Sequence, residues 1–144
     1  MRTDIDVQPQ SASSSVVTDA FIPHERVQNV PKGHVLYREG GEPAGVYFLR
    51  AGEVDLVFAA KSGEAKALRV AEPGQILGLS CIVSRCPNDC TATTRTPCTI
   101  GFVDRETLET LLDEQPALWL QVLHYISEEV NACWDCMRAI SGAR

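Results

Sequence analysis

From Glu25 to Val70 the chain runs as short alternating segments cut by glycine turns, and this punctuation restricts the fold more than any other feature. Arg26-Val27-Gln28-Asn29-Val30 alternates, Pro31-Lys32-Gly33 turns, and His34-Val35-Leu36-Tyr37 alternates again. Glu39-Gly40-Gly41-Glu42-Pro43 is a turn cluster, and Val46 to Leu49 reads as a buried strand ending at Arg50-Ala51-Gly52. Val54, Leu56 and Phe58 then share one face, Lys61-Ser62-Gly63-Glu64 is a hairpin turn, and Lys66 to Val70 returns. Many short strands between glycine turns predict a mainly β domain with some helix, built as a sandwich or jelly-roll barrel.

Pro73 to Val103 has the layout of a ligand pocket: a turn, a short helix opening at Gly78-Leu79-Ser80, a loop, and strands at Thr91–Thr94 and Cys98–Val103. A helix opening on Gly-x-Ser presents free backbone N–H groups, the physical basis of an anion site. In the last strand Cys98, Ile100 and Phe102 are expected on one face.

After Val103 the period becomes helical. Asp104 is a good N-cap, Glu106 sits in the first turn, and Leu108, Leu111 and Leu112 form an apolar stripe that breaks at Asp113-Glu114-Gln115. Pro116 suits the first turn of a second helix. Along it Trp119, Leu123, Ile126, Val130, Cys133, Met137 and Ile140 alternate at spacings of four and three, a heptad seam that predicts a parallel homodimer. From Pro116 to about Ser141 such a helix is roughly 39 Å long, so part of it is expected to project. The expected organisation is a disordered tail over 1–20, a β-barrel sensor over 21–113 and a dimerisation helix over 114–144.

A net charge of −6 opposes phosphate backbones, and the basic residues are sparse, so direct nucleic-acid binding is not expected. No apolar run suits a membrane span or a secretory signal, which predicts a cytoplasmic chain with no membrane contact. His24, His34 and His124 lack ligand spacing, and Glu39, Glu42 and Glu53 read as turn and surface carboxylates, so no catalytic residue is assigned. A cupin-type metal enzyme would need clustered histidines.

Six cysteines are many for this length. Cys81, Cys86 and Cys90 lie in the pocket loop at C-x4-C-x3-C, open to reading as a thiol sensor, a soft metal site or plain packing; the spacing matches neither zinc nor iron–sulfur patterns. Cys98 reads as core. Cys133 and Cys136 form a C-x2-C within the helix; in a parallel dimer they could pair across the axis, share a metal or simply pack.

Pro31-Lys32-Gly33, Tyr37-x-Glu39-Gly40, Val46-Tyr47-Phe48-Leu49-x-x-Gly52-Glu53-Val54, Gly74 to Gly78, Cys98 to Val103 and the two helices together carry a resemblance. Over about Phe21 to Ile140 the chain resembles the cyclic-nucleotide-binding domain superfamily, in particular the effector domain of cAMP-receptor-type (CRP/FNR) regulators. The resemblance implies a double-stranded β-helix barrel followed by a dimerising helix. It also implies a phosphate cassette: Gly-Glu, the Glu holding a ribose hydroxyl, then Arg-Ser/Thr-Ala, the Arg neutralising a cyclic phosphate.

This sequence departs from that cassette. Gly78 is followed by Leu79, and the arginine position falls on Asn88 or Asp89, depending on one gap. Losing the cation removes a charge-assisted bond, about 1.5–3 kcal/mol. The pocket residues Gly78, Leu79, Ser80, Cys81, Asn88, Asp89, Cys90 and Thr91 therefore form a degenerate cassette, and cAMP and cGMP are not expected as ligands. Nor is a DNA-reading helix-turn-helix legible before Arg144. The sequence thus predicts a non-enzymatic regulatory module, cysteine-rich and dimeric, with an unidentified small-molecule or protein partner. A cysteine-based redox or metal sensor on the same fold is the alternative.

Overall fold

The structure, a computed structural model, describes residues 12–59 and 65–140 and the side chains of 17–58 and 69–129. The expected turn at Lys61–Glu64 and the seam side chains Val130, Cys133, Met137 and Ile140, with Cys136, lie outside what is described.

Among the described residues the alternating segments form two four-stranded sheets. One runs β1 (Arg26–Val30), β8 (Cys98–Asp104), β3 (Gly45–Ala51), β6 (Ile76–Leu77); the other runs β2 (Val35–Tyr37), β7 (Thr91–Thr94), β4 (Val54–Ala59), β5 (Ala65–Ala71). Every pairing is antiparallel, and strands distant in sequence are neighbours, as a jelly roll requires.

Strand β3 of the first sheet is buried on both faces, which is why Val46 to Leu49 reads as a continuous apolar run. Tyr47 and Leu49 face the second sheet, in a core with Val54, Leu56, Leu77 and Ile100. Val46, Phe48, Ile76 and Val103 face the helices. Phe102 stays on the inter-sheet side with Cys98 and Ile100, its ring 4.9 Å from that of Tyr47.

Among the described residues four helices pack on the outer face: α1 (Ala12–Phe21), α2 (Leu79–Ser84), α3 (Arg105–Glu114) and α4 (Pro116–Ile140). Asp104 caps α3 as expected, its Oδ1 accepting from Thr107 N–H at 2.8 Å. The expected tail needs correction. From Ala12 it is helical, and Val17 and Phe21 are fully buried, the Phe21 ring 5.9 Å from Phe48. Composition underrates this segment because two apolar side chains four apart lie on one helical face, and the groove that receives them is built by other elements.

Candidate functional site

The pocket segment begins at β6. Gly78 follows with φ +85, a left-handed conformation that glycine adopts without strain, and turns the chain into α2 (Leu79–Ser84). Leu79, Cys81 and Ile82 point inward, Ser80 is half-buried, and the Ser84 hydroxyl donates back to the Ser80 carbonyl at 2.8 Å. Arg85 ends the helix with φ 61, its N–H bonded to the carbonyls of Cys81 and Ile82.

The loop then divides by role. Asn88 is buried, and its amide donates to the Arg38 carbonyl at 3.1 Å. Its backbone N–H donates to Gly41, and its carbonyl accepts from Gly40 N–H. The Thr91 hydroxyl accepts from Glu39 N–H at 2.9 Å. Asn88 and Thr91 thus hold the 38–41 turn, while Asp89 stays exposed between them.

Cys81 and Cys90 are buried free thiols, and Cys86 is exposed. Burial, with the Asp89 carboxylate next in weight, pushes the Cys90 thiol up to about 12 and raises Cys81. The phenol of Tyr37 is likewise raised by burial and by its neighbours Cys90, Asp89 and Cys81. Tyr37, Cys81 and Cys90 therefore stay protonated at neutral pH, a cluster of weak neutral donors with a carboxylate beside it. Cys98 belongs to the inter-sheet core, its sulfur within reach of the carbonyls of Glu53 and Thr96. Among the described residues no three or more His, Cys, Asp or Glu are grouped to hold a metal ion.

Arg85 lies elsewhere, at a cleft of about 160 Å³ that it lines with Trp119, Glu109 and Asp113 over Ile82 and Leu112. The cleft sits between α2, α3 and the start of α4.

Helix α4 docks through Leu118, Val122 and Tyr125, all buried. The Tyr125 hydroxyl accepts from Ile76 N–H at 2.8 Å, with the Ile76 carbonyl 3.0 Å and Glu129 Oε2 3.1 Å away. Glu129 also accepts from Arg69 on β5. Of the seam residues with described side chains, Leu123 is 50% exposed, whereas Trp119 and Ile126 pack partly against the core. Leu120, outside the seam, is 70% exposed. Tyr125 escapes a search for the heptad seam because Leu118, Val122, Tyr125 and Glu129 form a second row beside it, at the same spacings. That row is the only sequence signal for it. No helix of the described residues is long and apolar enough to cross a membrane.

The family description "Cyclic nucleotide-binding domain" matches residues 27–115. A CRP-like cAMP-activated global transcriptional regulator of Mycobacterium tuberculosis is 25% identical over 101 residues, 70% of this chain and 45% of the relative. The chain thus spans under half the length of that relative. Among solved structures, the c-di-GMP-responsive global regulator CLP of Xanthomonas campestris superposes with a TM-score of 0.75 at 18% identity, covering 88% of this chain and 63% of that one. A cyclic nucleotide-binding domain from Methylobacillus flagellatus gives 0.73 at 15% identity, covering 94% and 74%.

Proposed function

Because the chain belongs to the cyclic nucleotide-binding domain family, we propose that it is a non-enzymatic regulatory module whose pocket lacks the charges that hold a cyclic phosphate, and which signals through a dimer of α4. The observation that carries this reading is the residue before β7. Thr91-Ala92 fits the Ser/Thr-Ala of the family cassette, which puts Cys90, rather than Asn88 or Asp89, where the arginine belongs. Cys90 is 4% exposed and its thiol is protonated at neutral pH. At the place of the cassette glutamate, Leu79 is 2% exposed. A cyclic phosphate entering here would lose water and meet a neutral thiol at Cys90 where the family has a cation, with Asp89 adding like charge.

The relatives respond to different nucleotides: one is described as cAMP-activated, another as c-di-GMP responsive. The scaffold therefore does not fix the ligand, and the side chains of residues 78–92 decide it. The dimer reading is supported by Leu120 and Leu123, which leave apolar surface on the outer side of α4 while Leu118, Val122 and Tyr125 cover the barrel. The net charge of −6 weighs against phosphate-backbone contacts by this segment.

Thermal unfolding with and without nucleotide tests the reading. A ligand at about a hundred times its dissociation constant stabilises by about 2.7 kcal/mol, a shift of several degrees in a domain of this size. Millimolar cAMP or cGMP is expected to leave the midpoint unchanged, and a rise of several degrees with either overturns the proposal.

A further inference from the structure

We infer that Tyr125 is the residue that holds α4 and the β6–α2 segment in register, so that neither moves without the other; this rests on the reading that α4 carries the signal. The reason begins in the backbone of β6. Leu49 N–H donates to the Gln75 carbonyl at 3.1 Å and Gly74 N–H to the Leu49 carbonyl at 2.9 Å, so this part of the ladder faces β3. Antiparallel alternation then turns the N–H and carbonyl of Ile76 away from β3, toward the open edge of the sheet. β6 is the last strand in its sheet, and Ile76 is 1% exposed, out of reach of bulk water.

One phenol satisfies that edge. The Tyr125 hydroxyl accepts from Ile76 N–H, and its single proton lies within reach of both the Ile76 carbonyl and Glu129 Oε2. Burial and the Glu129 carboxylate raise its pKa, so it keeps that proton. The other Glu129 oxygen accepts from Arg69 on β5. Helix α4 is therefore tied to the edge of one sheet through Tyr125 and to the edge strand of the other through Glu129.

The tie reaches the pocket in two residues. Gly78 follows Leu77 directly and opens α2, and a strand of only two residues has little ladder of its own to resist displacement. When the 78–92 segment shifts, Ile76 either leaves its edge partner Tyr125, exposing an unpaired buried N–H and carbonyl, or carries Tyr125 and α4 with it. The first outcome is penalised by desolvation, so the motion is transmitted.

Hydrogen exchange and site-resolved alkylation by N-ethylmaleimide, followed by mass spectrometry on the full chain, test this. Tyr125→Phe is expected to speed exchange across residues 74–84 by at least about tenfold and to speed alkylation of buried Cys81. Buried Cys98 and strands β1 and β8 are expected to stay as in the wild type, with exposed Cys86 as the internal reference. Glu129→Gln keeps an acceptor near Tyr125 but loses the ion pair, so it should loosen α4 from β5 and leave 74–84 protected. Unchanged exchange at 74–84 in Tyr125→Phe, a uniform rise that includes Cys98, or equal loosening of 74–84 by Glu129→Gln each overturn the inference. None of these readouts needs a ligand or a dimer. A wild-type chain that sediments as a monomer removes the signalling reading while leaving this coupling standing.

Discussion

Glu25 fills the space that a side chain on Gly101 would need: a Cβ at position 101 would come within 1.7 Å of Glu25 Oε1. Gly101 lies in β8 between Val27 of β1 and Phe48 of β3, so the carboxylate crosses the sheet at its centre. There it is paired with Arg50, and its side chain is 1% exposed. Gly101→Ala should expel Glu25 from its buried place and break its pair with Arg50, at a cost of about 1–3 kcal/mol. Urea unfolding measures this, and a loss below about 1 kcal/mol would contradict the packing described.

The cap of α3 gives a prediction with a pH signature. Asp104 has its pKa lowered from 3.8, chiefly by the bond from Thr107 N–H. A lowered folded pKa means that the contribution is present above the unfolded value and is lost as pH falls through the folded one. Asp104→Ala should therefore destabilise by about 1 kcal/mol at neutral pH. The gap between variant and wild type should close as pH falls below 3.8, and a gap independent of pH would show that the cap carries no charge component.

The buried thiols predict the opposite slope. Cys90 is raised from 9.0 to about 12, so the unfolded chain loses this proton first as pH rises. The stability it contributes is present below pH 9.0 and declines as pH climbs toward 12. Denaturation midpoints of the wild type should fall between pH 8 and pH 11, and Cys90→Ala should flatten that decline. A Cys90→Ala profile parallel to the wild type would show that the thiol titrates alike in the folded and unfolded chains and is not raised by burial.

In the proposed dimer the two rows of α4 have separate tasks, one in folding and the other in assembly. Leu123→Glu changes a half-exposed residue and should split the dimer while the monomer melts normally. Val122→Glu buries a carboxylate among Leu118 and Tyr125 and should unfold the domain outright. Sedimentation with circular dichroism distinguishes the two, and a Leu123→Glu chain that still sediments as a dimer would remove this face from the interface.

What could be read from the sequence was what neighbouring residues decide. The Asp104 cap, the buried run Val46–Leu49 and the short helix opening at Gly78 depend on local chemistry, and they form where the spacing placed them. Long-range partners were not legible. Asn88 and Thr91 read as pocket residues, yet both bind the 38–41 turn some fifty positions away. Val17 read as part of a tail because the groove that buries it, together with Phe21, is made by β3 and α4. On α4 the heptad spacing admitted two adjacent rows, and only contact with the barrel shows that Leu118, Val122 and Tyr125 form the docked one.

Isothermal titration calorimetry of the wild-type chain with cAMP and cGMP tests the central claim most directly. With Cys90 and Leu79 proposed to stand in the places of the family's arginine and glutamate, no saturable heat is expected at micromolar nucleotide. Binding of either nucleotide with micromolar affinity would contradict the account, because the phosphate would then be held without the family's arginine and glutamate.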